Sequence, residues 1–304
     1  MAEQVSSVAP ISSDRARKVR RLIGRGRRFL SLDAKVAFGG LIILIGLALA
    51  IFAPLISPAD PLEQDLMSAT LPPIGFAGAD PAHLLGTDDL GRDVLARLLY
   101  GGRVAFTVAF VAAGLAGLIG TVLGLVAGWY GRLADTIVSR LIDIWMAFPP
   151  VLLSILLVAV FGSGLHSVIA AIVIIDWTRF ARVVRAETMA QAALDYVTAA
   201  RAIGFPRLHV LLNEIVPNLW PVIVALLSLE AGIAVIVEAI LSFVGLSVSS
   251  DTPTWGGMIA SGRQILHQGW WVLAAPLAVL FVTVLAFNLF GEGMRRTLDP
   301  VMRR

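Results

Sequence analysis

An all-α membrane protein with six transmembrane helices is the fold that this sequence predicts, and three observations carry the prediction. The chain is 58% hydrophobic and only 15% charged, where soluble domains carry roughly 25% charged residues. Apolar runs of spanning length, about 20 residues, fall at approximately 35–55, 102–129, 136–160, 165–184, 218–247 and 271–291. An even number of spans puts both termini on one side, taken as cytoplasmic. Of the 24 Lys and Arg residues, all but Arg92, Arg97, Arg103 and Arg263 then fall on that side, as the positive-inside rule requires.

Several chemistries are excluded by what the chain lacks. There is no cysteine, so disulfides, thiolate metal sites and thiol catalysis are ruled out. The only lysines, Lys18 and Lys35, are each followed by valine, so no phosphate-binding loop ending in Lys-Ser or Lys-Thr can form. If ATP drives this protein, another chain hydrolyses it. His83, His166, His209 and His267 are scattered singly, without the spacing of a metal site, and no convincing Ser/His/Asp set is present.

In chain order, residues 1–33 form a basic tail with Arg15, Arg17, Lys18, Arg20, Arg21, Arg25, Arg27 and Arg28. The apolar run after it is too long for a signal-peptide core, so 34–57 reads as a first transmembrane helix retained in the protein. Residues 58–101 form an acidic extracytoplasmic loop, with Asp60, Glu63, Asp65, Asp80, Asp88, Asp89 and Asp93, broken early by prolines. A transmembrane core spans 102–292. Its first helix carries Gly120-x-x-x-Gly124-x-x-x-Gly128, a spacing for close helix packing within the chain. The span over 165–184 ends in Arg179, Arg182 and Arg185 on one helix face. Trp129, Tyr130, Trp220, Trp270 and Trp271 read as interfacial belt residues. The stretch 242–270 is a second extracytoplasmic loop, and 293–304 a cytoplasmic tail.

Residues 186–217 are a polar island between two spans. Val197, Ala200 and Ile203 recur at helical spacing, with Asp195, Thr198 and Arg201 between them. Gly204 suits a left-handed helix end and Pro206 the first turn of a new helix. The expectation is two short helices around a tight turn, lying parallel to the membrane and offered to a soluble partner. A simple connector between spans remains the alternative. Within the fifth span, Glu230 and Glu238 lie on roughly one face, and ionisable groups at membrane depth mark function by default. Both are expected to serve helix packing or gating. Asp143 and Asp176 are expected to pair with arginines or to reach the interface.

Three segments carry a family resemblance: HLLGTDDLGRDVLARLLYGGRVAF (83–106), EAILSFVGLSVSSDTPTWGGMI (238–259) and NLFGEGMRRTLDPVMRR (288–304). They resemble the C-type permease subunit of bacterial dipeptide and oligopeptide ABC importers, from about residue 30 to the end. The resemblance implies the type I ABC importer transmembrane fold in a bacterial inner membrane. It also implies that 186–217 is the ATPase-coupling loop, whose family pattern is Glu-Ala-Ala, three residues, Gly, nine residues, then Ile-x-Leu-Pro. The matching positions are Thr198, Ala199, Ala200, Gly204, Glu214, Val216 and Pro217, so the family's Glu, Ile and Leu are replaced. Asp195, Arg201, Phe205 and Pro206 complete the implied coupling surface. On resemblance alone, Asp88, Asp89, Arg92, Asp93 and Trp255 would receive an extracytoplasmic substrate-binding protein.

The resemblance thus implies a permease subunit with no catalytic residue, no metal site and no cofactor of its own. ATP and Mg would sit on two cytoplasmic ATPase subunits, and a second homologous permease would complete the pathway in the bilayer; nucleic acid has no place. Peptides are the expected cargo, with nickel or glutathione as the near alternative. A stand-alone channel or secondary transporter is the alternative from another class. It would call for inverted repeats and ionisable groups at the midplane, and no clear repeat is visible.

Overall fold

A computed structural model describes residues 33–57, 59–248 and 252–298. Residues 1–32 of the basic tail, residues 58 and 249–251 of the two expected extracytoplasmic loops, and residues 299–304 therefore lie outside the described residues. Helix α1 (Ala34–Ile51) begins where the Asp33 side chain accepts the Lys35 backbone N–H at 3.0 Å, and a one-turn α2 (Ala53–Ile56) comes next. The next helices are α3 (Val94–Tyr130), α4 (Arg132–Met146), α5 (Pro150–Phe161) and α6 (Leu165–Ala192). Then come α7 (Asp195–Ala202) and α8 (Arg207–Val210). A π-helical turn (Leu211–Ile215) leads into α9 (Val216–Phe243), and α10 (Trp255–Gln264) and α11 (Trp270–Leu298) close the fold. Among the described residues there is no strand, only an isolated bridge between Thr87 and Asp93.

Among the described residues, four helical stretches are each long and apolar enough to cross a membrane: α1, α3, α8 to α9 and α11. The third span departs from expectation. Instead of one helix over 136–160 there are two, α4 and α5, bent by 88°. Pro149 and Pro150 explain the break, since a residue before proline is pushed out of helical conformation and proline cannot donate to the preceding turn. Pro149 accordingly sits at φ −60°, ψ 120°, and α5 starts anew behind it. Helix α6 is long enough to span, but Asp176, Arg179, Arg182 and Arg185 make it more polar than the others.

The seam between α3 and α6 is the most extensive helix contact. A Cβ at Gly120 would lie 2.3 Å from the Trp177 carbonyl oxygen, and one at Gly124 2.8 Å from that of Ala181. At Gly128 it would lie 2.7 Å from Thr188 Cβ. Only glycine lets the two backbones approach this far, which is how apolar helices gain packing energy without a hydrophobic driving force. On the other side, Ile43, Phe106, Trp255 and Phe287 belong to one buried cluster that joins α1, α3, α10 and α11.

The loop over 59–93 is a folded cap. The Thr87 hydroxyl donates to the Ser68 carbonyl at 2.5 Å and accepts from the Leu71 N–H at 2.8 Å. Gly91, at φ +74°, passes so near Asp65 that a Cβ would fall 1.8 Å from its carbonyl oxygen. The Trp271 indole reaches back to donate to the Thr87 carbonyl at 3.1 Å. Trp271 and Trp129 are thus buried core residues, a correction to the expected interfacial belt, while Tyr130, Trp220 and Trp270 are exposed.

Candidate coupling loop and the charges at membrane depth

Helix α7 is short and amphipathic, and it seats on the bundle through one side. Val197 and Ala200 bury into a cluster with Trp129, Val184, Val210, Leu211 and Ile215. The helix ends in a paired turn: the Phe205 N–H donates to the Ala200 carbonyl at 3.3 Å and the Gly204 N–H to that of Arg201 at 3.0 Å. This terminal motif needs a left-handed residue, and Gly204 supplies it at φ +98°. Pro206 caps the start of α8. One detail differs from expectation. The second short helix is not free-standing, because α8 runs through the π turn into α9 as one helical stretch, Arg207–Phe243.

The outward side of this knob is apolar. Ile203 is 76% exposed, and Leu194, Phe205 and Leu208 are exposed beside it. Asp195, Thr198, Ala199, Arg201, Pro206 and Pro217 are also on the outside, whereas Ala200 faces the bundle. The small residues of the motif therefore have different jobs: Ala199 lies flat on the surface, and Ala200 allows α7 to sit close to its own base.

Two contacts that spacing alone did not reveal hold the knob rigid. The Arg201 guanidinium lies 4.3 Å from the centre of the Trp129 ring, a cation–π contact that ties α7 to the end of α3. Asn218 donates to the Glu214 carbonyl at 2.8 Å and to the Tyr196 hydroxyl at 3.1 Å, which itself meets Gln191 at 2.7 Å. An aromatic residue at a span end next to a loop arginine was the one available signal for the first contact.

Deeper in the bundle, the three arginines of α6 each face a carboxylate on another helix. Arg179 approaches Glu230 of α9 at 3.3 Å, Arg182 approaches Asp143 of α4 at 3.6 Å, and Arg185 pairs with Asp135 of α4. Asp176 is buried within electrostatic reach of Arg179 and Glu230. Glu238 is separate. It is 1% exposed and accepts from the Ser242 and Ser247 hydroxyls at 2.6 and 3.2 Å. Ser247 in turn offers its carbonyl to the Gly164 N–H at 2.8 Å, so Glu238 ties the end of α9 to the start of α6. The two glutamates thus belong to different contacts.

On the opposite side, most residues expected to meet a binding protein are turned inward. Asp88 is 2% exposed and Asp93 and Trp255 are also buried. Asp88 accepts from the Leu90 and Arg92 backbone N–H groups and from the Arg92 side chain at 2.8 Å, with Arg97 at 3.6 Å. Asp93 caps α3 through the Ala96 N–H at 2.7 Å and meets His83 at 2.9 Å. Trp255 donates to the Leu98 carbonyl at 2.9 Å. Buried carboxylates survive only when paired and bonded in this way, so these residues shape the cap, and of the five only Asp89 is exposed. At the outer edge, the Ser68 hydroxyl, 2.6 Å from Asp65, holds that carboxyl below its ordinary range.

The comparisons with known proteins agree with this geometry. The family model for binding-protein-dependent transport system inner membrane components matches residues 120–304, and the N-terminal domain of oligopeptide transport permease C matches 27–73. A dipeptide transport system permease of Haemophilus influenzae is 37% identical, covering 88% of this chain and 90% of its own. A di/tripeptide permease of Pseudomonas aeruginosa is 37% identical with 88% and 89% covered, and a glutathione permease of Pectobacterium atrosepticum 37% with 91% and 90%. In fold, the chain resembles the inward-facing MetNI methionine ABC transporter, with a TM-score of 0.55 over 67% of this chain and 96% of that one at 19% identity. An exposed apolar knob on a rigid helical base, joined to these matches, leads to one conclusion: the chain belongs to the family of binding-protein-dependent transport system inner membrane components, the permease subunits of bacterial ABC importers.

Proposed function

We propose that this chain is the C-type permease of an ATP-driven importer of dipeptides or oligopeptides. It would pair with a second, homologous permease, take ATP-driven motion from two cytoplasmic ATPase subunits at 186–217, and receive cargo from an extracytoplasmic binding protein. The observation that carries the reading is the knob itself. Its apolar outer face (Leu194, Ile203, Phe205, Leu208) stands on a buried base fixed to α3, α6 and α9. A helix presented in this way suits helix-in-groove docking, and a rigid mount passes on displacement that a slack loop would dissipate. Near full-length similarity to dipeptide permeases supports the peptide cargo. Similarity to a glutathione permease keeps that peptide-like molecule as the second reading.

The test is purification of the assembled transporter with its binding protein, then ATP hydrolysis measured against a panel of peptides, nickel and glutathione. Stimulation by di- or oligopeptides is expected. Stimulation by nickel or glutathione alone would overturn the peptide reading while leaving the importer intact.

A further inference from the structure

Asp176, Arg179 and Glu230 stand apart from every other charged group in the bundle because of where they lie. Arg179 is 14 residues into α6 and Glu230 is 14 residues into α9, which at 1.5 Å per residue is about 21 Å from each helix start. The two helices run in opposite directions, so the groups meet well inside a hydrocarbon core about 30 Å thick. Glu230 and Asp176 are buried, each 4% exposed, yet the Arg179 side chain remains 33% exposed. Among the described residues, Arg179 reaches Glu230 at 3.3 Å, and no hydrogen bond reaches Asp176. Two carboxylates therefore share one guanidinium.

A guanidinium exposed to lipid at that depth would be strongly unfavourable, and such groups face a polar cavity or the interior of an assembly. Arg182 and Arg185, nearer the end of α6, have their own carboxylates on α4 and leave Arg179 the deepest arginine of the helix. We propose that Arg179 borders the water-filled route through the assembled importer with Asp176 and Glu230 packed directly behind it, where the uncompensated carboxylate draws in the ammonium group of a peptide in transit. Arg179 holds Glu230 in place, and Asp176, which no hydrogen bond reaches among the described residues, supplies the unbalanced negative charge that attracts the passing cation. The ammonium assignment rests on the peptide reading above; the placement on the route does not.

The native chain has no cysteine, so a single introduced thiol reports on this face. Val183 lies one turn beyond Arg179 and is half-buried, and Val183→Cys leaves all three charged groups in place. In the assembled transporter we expect it to react with small, membrane-impermeant thiosulfonate reagents. Normalised to a free thiol in solution, the cationic reagent should be favoured over the anionic one by about tenfold or more, as a cleft of one sign concentrates counter-ions. Asp176→Asn in the Val183→Cys background should reduce that preference. Peptide-loaded binding protein with ATP should slow the cationic labelling. No reaction in any nucleotide state, or equal normalised rates for both reagents, would overturn the placement on the route. Cation-selective labelling that peptides never slow would overturn the ammonium contact. A peptide panel that fails to stimulate ATP hydrolysis, beside intact cation-selective labelling, would instead locate the error in the substrate reading.

Discussion

Among single residues, Gly204 and Trp129 set the angle and the mounting of the knob. Gly204 is in the left-handed region at φ +98°, and a Cβ there would meet nothing within 4 Å. The objection to a side chain is therefore conformational rather than steric. Gly204→Val should cost on the order of 1–2 kcal/mol locally, on a loop outside the bundle, and leave insertion intact. The expected result is normal membrane levels, weakened co-purification of the ATPases and loss of substrate-stimulated ATP hydrolysis. Parental transport by this variant would reduce the loop to a connector. Trp129→Leu tests the mount instead. It removes a cation–π contact of about 0.5–2 kcal/mol, and it should leave ATPase binding near parental while lowering transport per ATP hydrolysed. Gly204 was legible because glycine before a proline announces a turn. Trp129 was not, because a tryptophan at a span end looks the same in sequence whether it faces lipid or a loop.

At the scale of elements, glycine spacing was legible and the course of the third span was not. The four-residue repeat of Gly120, Gly124 and Gly128 marks one helix stripe, and that stripe is where α6 lies against α3. Gly124→Leu would force a side chain into the Ala181 carbonyl at under 3 Å, overpacking of a kind that costs about 1–3 kcal/mol or more. Gly114 lies on the same helix with nothing within 4 Å of its Cβ position. We therefore expect Gly124→Leu to lower the yield of folded permease in detergent sharply, and Gly114→Leu to leave it unchanged. Similar losses for both would mean that helix propensity, not the seam, is being measured. The 88° bend between α4 and α5 was hidden because hydropathy does not register direction. Pro149 and Pro150 were visible, but apolar residues run on past them. The inward turn of Asp88, Asp93 and Trp255 was hidden for a related reason: charge in a loop reads as solvated until its hydrogen-bond partners are known.

At the scale of the whole molecule, the lysine and arginine partition and the helix lengths carried the membrane fold. A cysteine at Ala82, exposed in the 59–93 cap, should react with an impermeant thiol reagent in intact cells, and one at exposed Ala202 should not. Labelling of Ala202→Cys from outside would invert the orientation. Opposite placement of the cap and the knob is what an importer requires, because cargo arrives on one side and ATP is hydrolysed on the other. This chain is expected to move cargo only when ATPases act on it, and uptake into sealed vesicles measures that dependence. Vesicles holding the assembled transporter with ATP inside, and peptide-loaded binding protein outside, should accumulate labelled peptide. Leaving out the ATPase subunits, or replacing ATP by a non-hydrolysable analogue, should abolish accumulation. Peptide uptake by this chain that persists without ATPases would contradict the account and return it to the class of stand-alone channels or secondary transporters.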